Sequence, residues 1–171
     1  MDLEAFIRDV PGFPQPGILF RDITPLLGNA EALRETLDRL AKLAEETRPD
    51  CIVGIESRGF IFGVPLADRL GLPFVPVRKP GKLPAARMSV EYSLEYGESQ
   101  LDIHADALTK GQRAFIVDDL LATGGTALAA AKLVELLDGV VAGFGFVVEL
   151  EVLGGRERLR GYPVSALLTY A

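Results

Sequence analysis

Four runs of this sequence are apolar almost without interruption, Cys51–Ile55, Phe74–Val77, Ala114–Val117 and Val140–Leu150, and a fifth, Val164–Leu168, lies near its end. Alternating polar and apolar residues mark a strand with one wet face. Continuous apolar residues mark a strand covered on both faces, the condition of a parallel sheet. Helical patterns lie between the runs. Leu33, Leu37, Leu40, Ala41 and Ala44 fall on one helix face, closed by Arg48-Pro49, because the residue before a proline is pushed out of the helical region. Phe60–Leu70 is a second helix, with Gly71 as its stop and Pro65 expected to kink it or mark its first turn. Thr126–Leu137 is the third and clearest; it starts after two glycines and stops at Asp138-Gly139. The alternation predicts an α/β fold with a central, mainly parallel sheet flanked by helices. All 171 residues are expected in one domain, and a chain of that size buries about 70% of its unfolded surface without a disulfide or metal staple.

Two stretches escape the pattern. The first 27 residues contain Pro11, Pro14, Pro16 and Pro25 and read as an irregular lead-in. Arg78–Tyr96 is rich in Pro, Gly, Lys, Arg and Tyr, too polar and broken for a core element. Loops of that length in a compact domain are usually functional or mobile, and a second wall for a site can come from either stretch. A net charge of −6, with both signs mixed along the chain, is a poor footprint for nucleic acid or an anionic membrane. The acidic start Met1-Asp2-Leu3-Glu4 does not suit a secretory signal, and no run nears the roughly 20 apolar residues of a membrane span. A cytoplasmic protein is expected, with neither nucleic acid nor membrane as partner. Cys51 reads as a small buried hydrophobe and His104, the only histidine, as structural.

Chemistry concentrates after the third apolar run. Asp118-Asp119 stands at the carboxyl end of the strand Ala114–Val117, and a short loop leads through Thr123-Gly124-Gly125-Thr126 into a helix. Open α/β sheets bind ligands beyond the carboxyl ends of their strands. Glycines allow close backbone approach, and the free N–H groups of a helix start point at an anion, aided by the helix dipole. The loop has neither the ending of a P-loop nor the glycine spacing of a dinucleotide fold. Two carboxylates against a phosphate would repel it, but facing the hydroxyls of a sugar they accept strong hydrogen bonds. Acid pair plus glycine cradle therefore implies a phosphorylated ribose, with Ala122, Thr123, Gly124, Gly125 and Thr126 around its phosphate and Asp118 and Asp119 on the sugar. The competing explanation is a capped helix whose Thr and Gly serve only the turn.

Val117–Thr126 resembles the 5-phosphoribosyl diphosphate (PRPP) signature of the type I phosphoribosyltransferase family. The likeness covers nearly the whole chain, in order. Phe13–Leu27, Gly54–Phe60, Arg78–Pro84 and Tyr92–Gly97 are similar to the adenine-using members. The resemblance implies transfer of the phosphoribosyl group from PRPP to adenine, giving AMP and diphosphate in purine salvage, by a homodimer. It also implies a hood over the base site from residues 1–30 and a flexible active-site loop over 78–97.

A diphosphate leaving group needs positive charge and donors. Arg58 follows the first apolar run, and Arg78, Lys79 and Lys82 follow the second, so three loops after three strands would meet on one edge. A solvated charge run is the competing reading. In the family, Ser57–Arg58 corresponds to a strained loop on the diphosphate, and Arg78, Lys79 and Lys82 serve the same end. Magnesium would be held mainly through PRPP oxygens, with no metal ligand assigned in the chain. Glu95 resembles the family's loop glutamate and is the candidate for proton handling, against the alternative of an exposed loop acid. With Arg58, Asp118 and Asp119 it completes the expected catalytic set, while Tyr92 and Tyr96 would help close the loop. The Leu19 carbonyl and Arg21 N–H would read adenine's edge, with Phe20 and Leu150 against the ring; ordinary core packing of those two competes evenly. The rival functions are a PRPP- or purine-sensing regulator, which would need a DNA-binding module or a basic face, and the same reaction on another purine.

Overall fold

A computed structural model describes residues 1–93 and 97–171. It comprises two compact units, Met1–Arg39 and Leu40–Ala171.

The first unit contains more regular structure than its prolines suggest. Strands β1 (Arg8–Pro11) and β2 (Leu19–Asp22) form an antiparallel hairpin in the register Arg8↔Asp22 to Pro11↔Leu19. The Gly12 N–H closes it on the Ile18 carbonyl at 2.7 Å. Phe13 and Phe20 meet edge to face, ring centres 5.2 Å apart, and the Arg21 guanidinium pairs with Asp9. Helix α1 (Thr24–Leu27) follows, and α2 (Ala30–Thr47) starts where the Asn29 side chain accepts from the N–H groups of Glu31 and Ala32. The strands escaped the sequence reading because they are four residues long and none of their residues is fully buried, which leaves no apolar run to find.

In the second unit, β3 (Cys51–Ile55), β4 (Phe74–Val77), β7 (Arg113–Leu121), β8 (Val140–Leu150) and β9 (Val164–Tyr170) form one sheet in the order β4-β3-β7-β8-β9. Every neighbouring pair in it is parallel. Helices α3 (Arg58–Leu70), α4 (Gly125–Leu136) and the short α5 (Gly155–Arg158) make the connections. Continuous burial of β3 and of most of β7 and β8 bears out the two-sided covering expected from their composition. Cys51 is fully buried, and burial, with the Asp50 charge second, pushes its thiol up to about 11. Gly71 ends α3 in the left-handed region, φ +63°. Pro65 lies inside that helix rather than in its first turn, because α3 begins at Arg58, earlier than the apolar pattern shows.

Arg78–Tyr96, expected as loop, is partly sheet. Strands β5 (Arg87–Ser93) and β6 (Glu98–His104) pair antiparallel from Arg87↔His104 to Ser93↔Glu98. Burial along β5 alternates residue by residue, so polar positions on its wet face disguised a strand as a broken loop. Met88, Val90 and Tyr92 pack from its other face onto the core. Arg78 and Asp102 exchange both backbone hydrogen bonds, at 2.9 and 2.8 Å, which fastens β6 to the end of β4. Among the described residues no helix is long and apolar enough to cross a membrane.

Candidate functional site

The sheet order puts the site at one point. From β3 the chain passes through α3 to β4 on one side; from β7 it passes through α4 to β8 on the other. Adjacent parallel strands whose connections diverge leave a crevice at their carboxyl ends, where ligands bind in α/β folds. A cavity of about 410 Å³ lies there, within the range of small-molecule sites. Glu56, Ser57 and Arg58 line it from the end of β3, Asp118–Ala127 from the end of β7, with Lys79, Tyr92, Ser99 and Leu101 on the remaining side.

The acid pair sits differently from the sequence expectation. Strand β7 does not stop at Val117 but runs to Leu121. Its pairing with β3 ends at Gly54↔Val117, whereas its pairing with β8 continues to Leu121↔Glu149. Asp118 and Asp119 thus lie past the last β3 partner while their backbone is still held by β8. The close approach of α3 here requires Gly59, since a Cβ on it would lie 2.7 Å from the Val117 carbonyl oxygen. Arg58 Nε then reaches Asp119 Oδ2 at 2.6 Å, bridging the ends of the two strands. Asp118 Oδ1 accepts the Asp119 N–H at 2.9 Å. Burial, with the neighbouring Asp119 charge second, pushes the Asp118 carboxyl well above the usual range.

The loop after the acids enters α4 through a glycine, without a threonine side chain as cap. Gly124 is the N-cap of α4 with φ +80°, a conformation open to glycine, and no side chain caps the helix. The N–H groups of a helix's first turn have no partner within the helix and carry the positive end of its dipole. Thr126 Oγ1 lies 3.3 Å from Tyr92 Oη.

The basic residues divide. Arg58 and Lys79 line the cavity; Arg78 and Lys82 are not among its lining residues. Arg78 Nε donates to Glu56 Oε2 at 3.0 Å, as does the Lys79 N–H at 3.0 Å, and Lys82 is exposed. Burial alone would raise the Glu56 carboxyl, but the Lys79 N–H and the Arg78 guanidinium outweigh it and hold it below its ordinary value. A carboxyl depressed on folding stabilises above its unfolded pKa and loses that contribution as pH falls through the lower folded value. Wild type should therefore melt above Glu56→Gln at pH 7, and the gap should close as the pH is taken below the ordinary glutamate range. A constant gap across a thermal melting series would refute the assignment.

The Glu56–Ser57 peptide is cis. Glu95 and Tyr96 lie outside the described residues. Leu19, Phe20 and Arg21 belong to the first unit, where Phe20 is half-buried; Leu150, also half-buried, ends β8 in the second. Alternation of ladder bonds from the Gly12–Ile18 bond onward gives Val10↔Phe20 to the hydrogen-bonded positions, leaving the main-chain groups of Leu19 and Arg21 on the outer edge of β2. Sequence reasoning missed Ser99 and Leu101, whose strand it did not predict; the period-2 spacing of Met88, Val90, Tyr92 and of Leu101, Ile103 was the available signal. No group of three or more His, Cys, Asp or Glu side chains among the described residues is placed to hold a metal.

Known proteins resemble this chain along nearly its whole length. Residues 27–166 match the Phosphoribosyl transferase domain family. The chain is 57% identical over 170 residues to an adenine phosphoribosyltransferase of a Synechococcus strain, covering 99% of each. Its fold is similar to that of the crystal structure of adenine phosphoribosyltransferase from Thermoanaerobacter pseudethanolicus, with TM-score 0.96, 53% identity and coverage of 99% of this chain and 98% of that one. The enzyme from Saccharomyces cerevisiae, solved with an imino-altritol bisphosphate and adenine, matches with TM-score 0.92, 43% identity and coverage of 98% and 97%.

Proposed function

Because the chain belongs to the phosphoribosyltransferase family, among its adenine phosphoribosyltransferases, we propose that its cavity holds PRPP between the cradle at α4 and the cationic end of β3. The reaction is transfer of the 5-phosphoribosyl group from PRPP to adenine, giving AMP and diphosphate, a step of purine salvage. The Arg58–Asp119 pair supports this assignment of roles, since it sets a cation after β3 against a carboxylate of β7, both lining the cavity.

In this reading the N–H groups of Gly125, Thr126 and Ala127, with the hydroxyls of Thr123 and Thr126, take the 5-phosphate. Asp118 and Asp119 accept the ribose hydroxyls, which fixes the anomeric carbon. Ser57, Arg58 and Lys79 receive the diphosphate, and Arg78 and Lys82 reinforce the positive field around it. As the bond to diphosphate breaks, the sugar gains oxocarbenium character while charge builds on the leaving oxygens. The protein's work is thus positioning and electrostatic stabilisation rather than covalent chemistry. Leu19 C=O and Arg21 N–H read adenine's edge, Phe20 and Leu150 flank its ring, and Glu95 handles the proton.

Magnesium fits this donor set. Asp118 is a carboxyl whose charge is disfavoured by burial and by Asp119, and a cation on the sugar oxygens would favour it. The ion would be held mainly through PRPP, where it neutralises diphosphate charge. A homodimer and a cytoplasmic setting belong to the same proposal. One assay tests it: PRPP and magnesium are offered with adenine, hypoxanthine, guanine or xanthine in turn, and diphosphate release is followed. Release with adenine alone is expected. Release with another purine moves the base assignment, and binding without release favours a sensor.

A further inference from the structure

The phosphate loop rests on a second element that the reaction does not touch. After β8 the chain turns through Gly154, φ +66°, into the four-residue α5. A Cβ added to Gly155 would collide with the Ala122 carbonyl oxygen and lie 2.9 Å from Leu121 Cδ1. A Cβ on Gly124 would in turn lie 2.6 Å from the Gly155 carbonyl oxygen. The loop Ala122–Gly124 and the turn Gly154–Gly155 thus pack backbone to backbone, at a distance only glycine permits.

What holds the turn is an ion pair. Glu149 is buried, 2% exposed, and stands beside Leu121 in the β7–β8 register. Arg156 Nε donates to Glu149 Oε1 at 3.0 Å and Nη2 to Oε2 at 2.5 Å, a two-pronged pair; its Nη1 donates to the Val164 carbonyl at 2.7 Å. One guanidinium therefore ties the turn after β8 to the end of β8 and the start of β9. A fork of that shape fixes position in a way the point charge of a lysine does not.

We propose that Arg156, clamped by Glu149 and acting through Gly155, is a positioning residue for the 5-phosphate cradle: it sets the Ala122–Gly124 loop from behind. This rests on the reading that the loop holds the ribose 5-phosphate. A cradle displaced by a fraction of an ångström weakens the phosphate end of the substrate and leaves the diphosphate end, built from Ser57, Arg58 and Lys79, intact.

The test uses the full chain with Arg156→Lys, Glu149→Gln and Gly155→Ala, each checked for its melting temperature. Calorimetric titration with ribose 5-phosphate and, separately, with inorganic diphosphate reads the two ends of the site. Arg156→Lys should weaken ribose 5-phosphate and raise the PRPP KM about tenfold, with diphosphate affinity and kcat at saturating PRPP within about twofold. Gly155→Ala should give the same split, more strongly. A folded Arg156→Lys with unchanged ribose 5-phosphate affinity overturns the proposal, and so does equal loss of both ligands. If Arg156→Lys does not fold, Glu149→Gln, which keeps size and one acceptor, decides in the same way. Failure of the wild type to bind ribose 5-phosphate would instead overturn the reading of the loop, and the proposal with it.

Discussion

Asp119→Asn should fold normally and lower kcat/KM for PRPP by about a hundredfold, the scale of losing one preorganised electrostatic contact in a closed site. Asp119 is only 7% exposed, and its Oδ2 holds Arg58 Nε at 2.6 Å. The amide keeps the shape but gives up the charge that pairs with the guanidinium and that, in the proposed role, also holds a ribose hydroxyl. Arg58 loses its charged partner as well, so on the proposed roles both ends of PRPP would be held less firmly. Steady-state kinetics with PRPP varied at saturating adenine reads this directly, and unchanged PRPP kinetics would remove Asp119 from the site.

Its neighbour should behave differently toward heat. The Asp118 carboxyl is raised on folding, chiefly by burial and next by Asp119. Between the unfolded pKa and that raised value, the folded chain keeps a proton that the unfolded chain gives up. Stability accordingly falls as pH rises through the window, and the full penalty stands above it. Asp118→Asn cannot ionise and escapes it. The variant should therefore be less active yet melt higher than wild type at pH 8, with the advantage vanishing in acid. A variant melting lower at pH 8 would contradict the burial argument.

The second large effect is on the core. Phe115→Ala should cost about 3–5 kcal/mol, the usual range for removing a buried aromatic ring. Phe115 is 1% exposed on β7, and its ring covers Gly145 of β8 so closely that a Cβ there would lie 2.7 Å from Cζ. Nothing at Gly145 can grow into the gap that alanine leaves. Against a total stability of roughly 5–15 kcal/mol, such a loss leaves the chain marginal. Denaturant unfolding measures it; a cost below about 1 kcal/mol would mean that the layer collapses around the gap.

The reaches of legibility follow physical lines. Runs buried on both faces announce themselves, and β3, β4 and β8 begin and end where their apolar residues do. The end of β7 does not, because Asp118 and Asp119 are charged residues inside a strand. Hairpin β1–β2 escaped because its strands are four residues long, and in β5–β6 one wet face left only a period-2 spacing in place of an apolar run. In the cavity lining, Asp118–Thr126 and Arg58 were legible from residue type and from their place beyond an apolar run, and Ser57 only through the family resemblance. Ser99, Leu101 and the Glu56–Arg78 pair were not, since they depend on what the hairpin and β4 bring alongside.

Residue chemistry by itself determined that this chain makes a buried parallel sheet with a glycine cradle and an acid pair at one strand's end. Those properties are local, set by apolar continuity, by glycine's freedom and by the charge of adjacent carboxylates. Only the tertiary structure decided that β3 lies beside β7, that their connections part in opposite directions, and that Arg58 thereby meets Asp119. Strand order is a choice among packings of similar strands, settled by long-range burial and close contacts such as Gly59 against Val117, which no local pattern along the chain records.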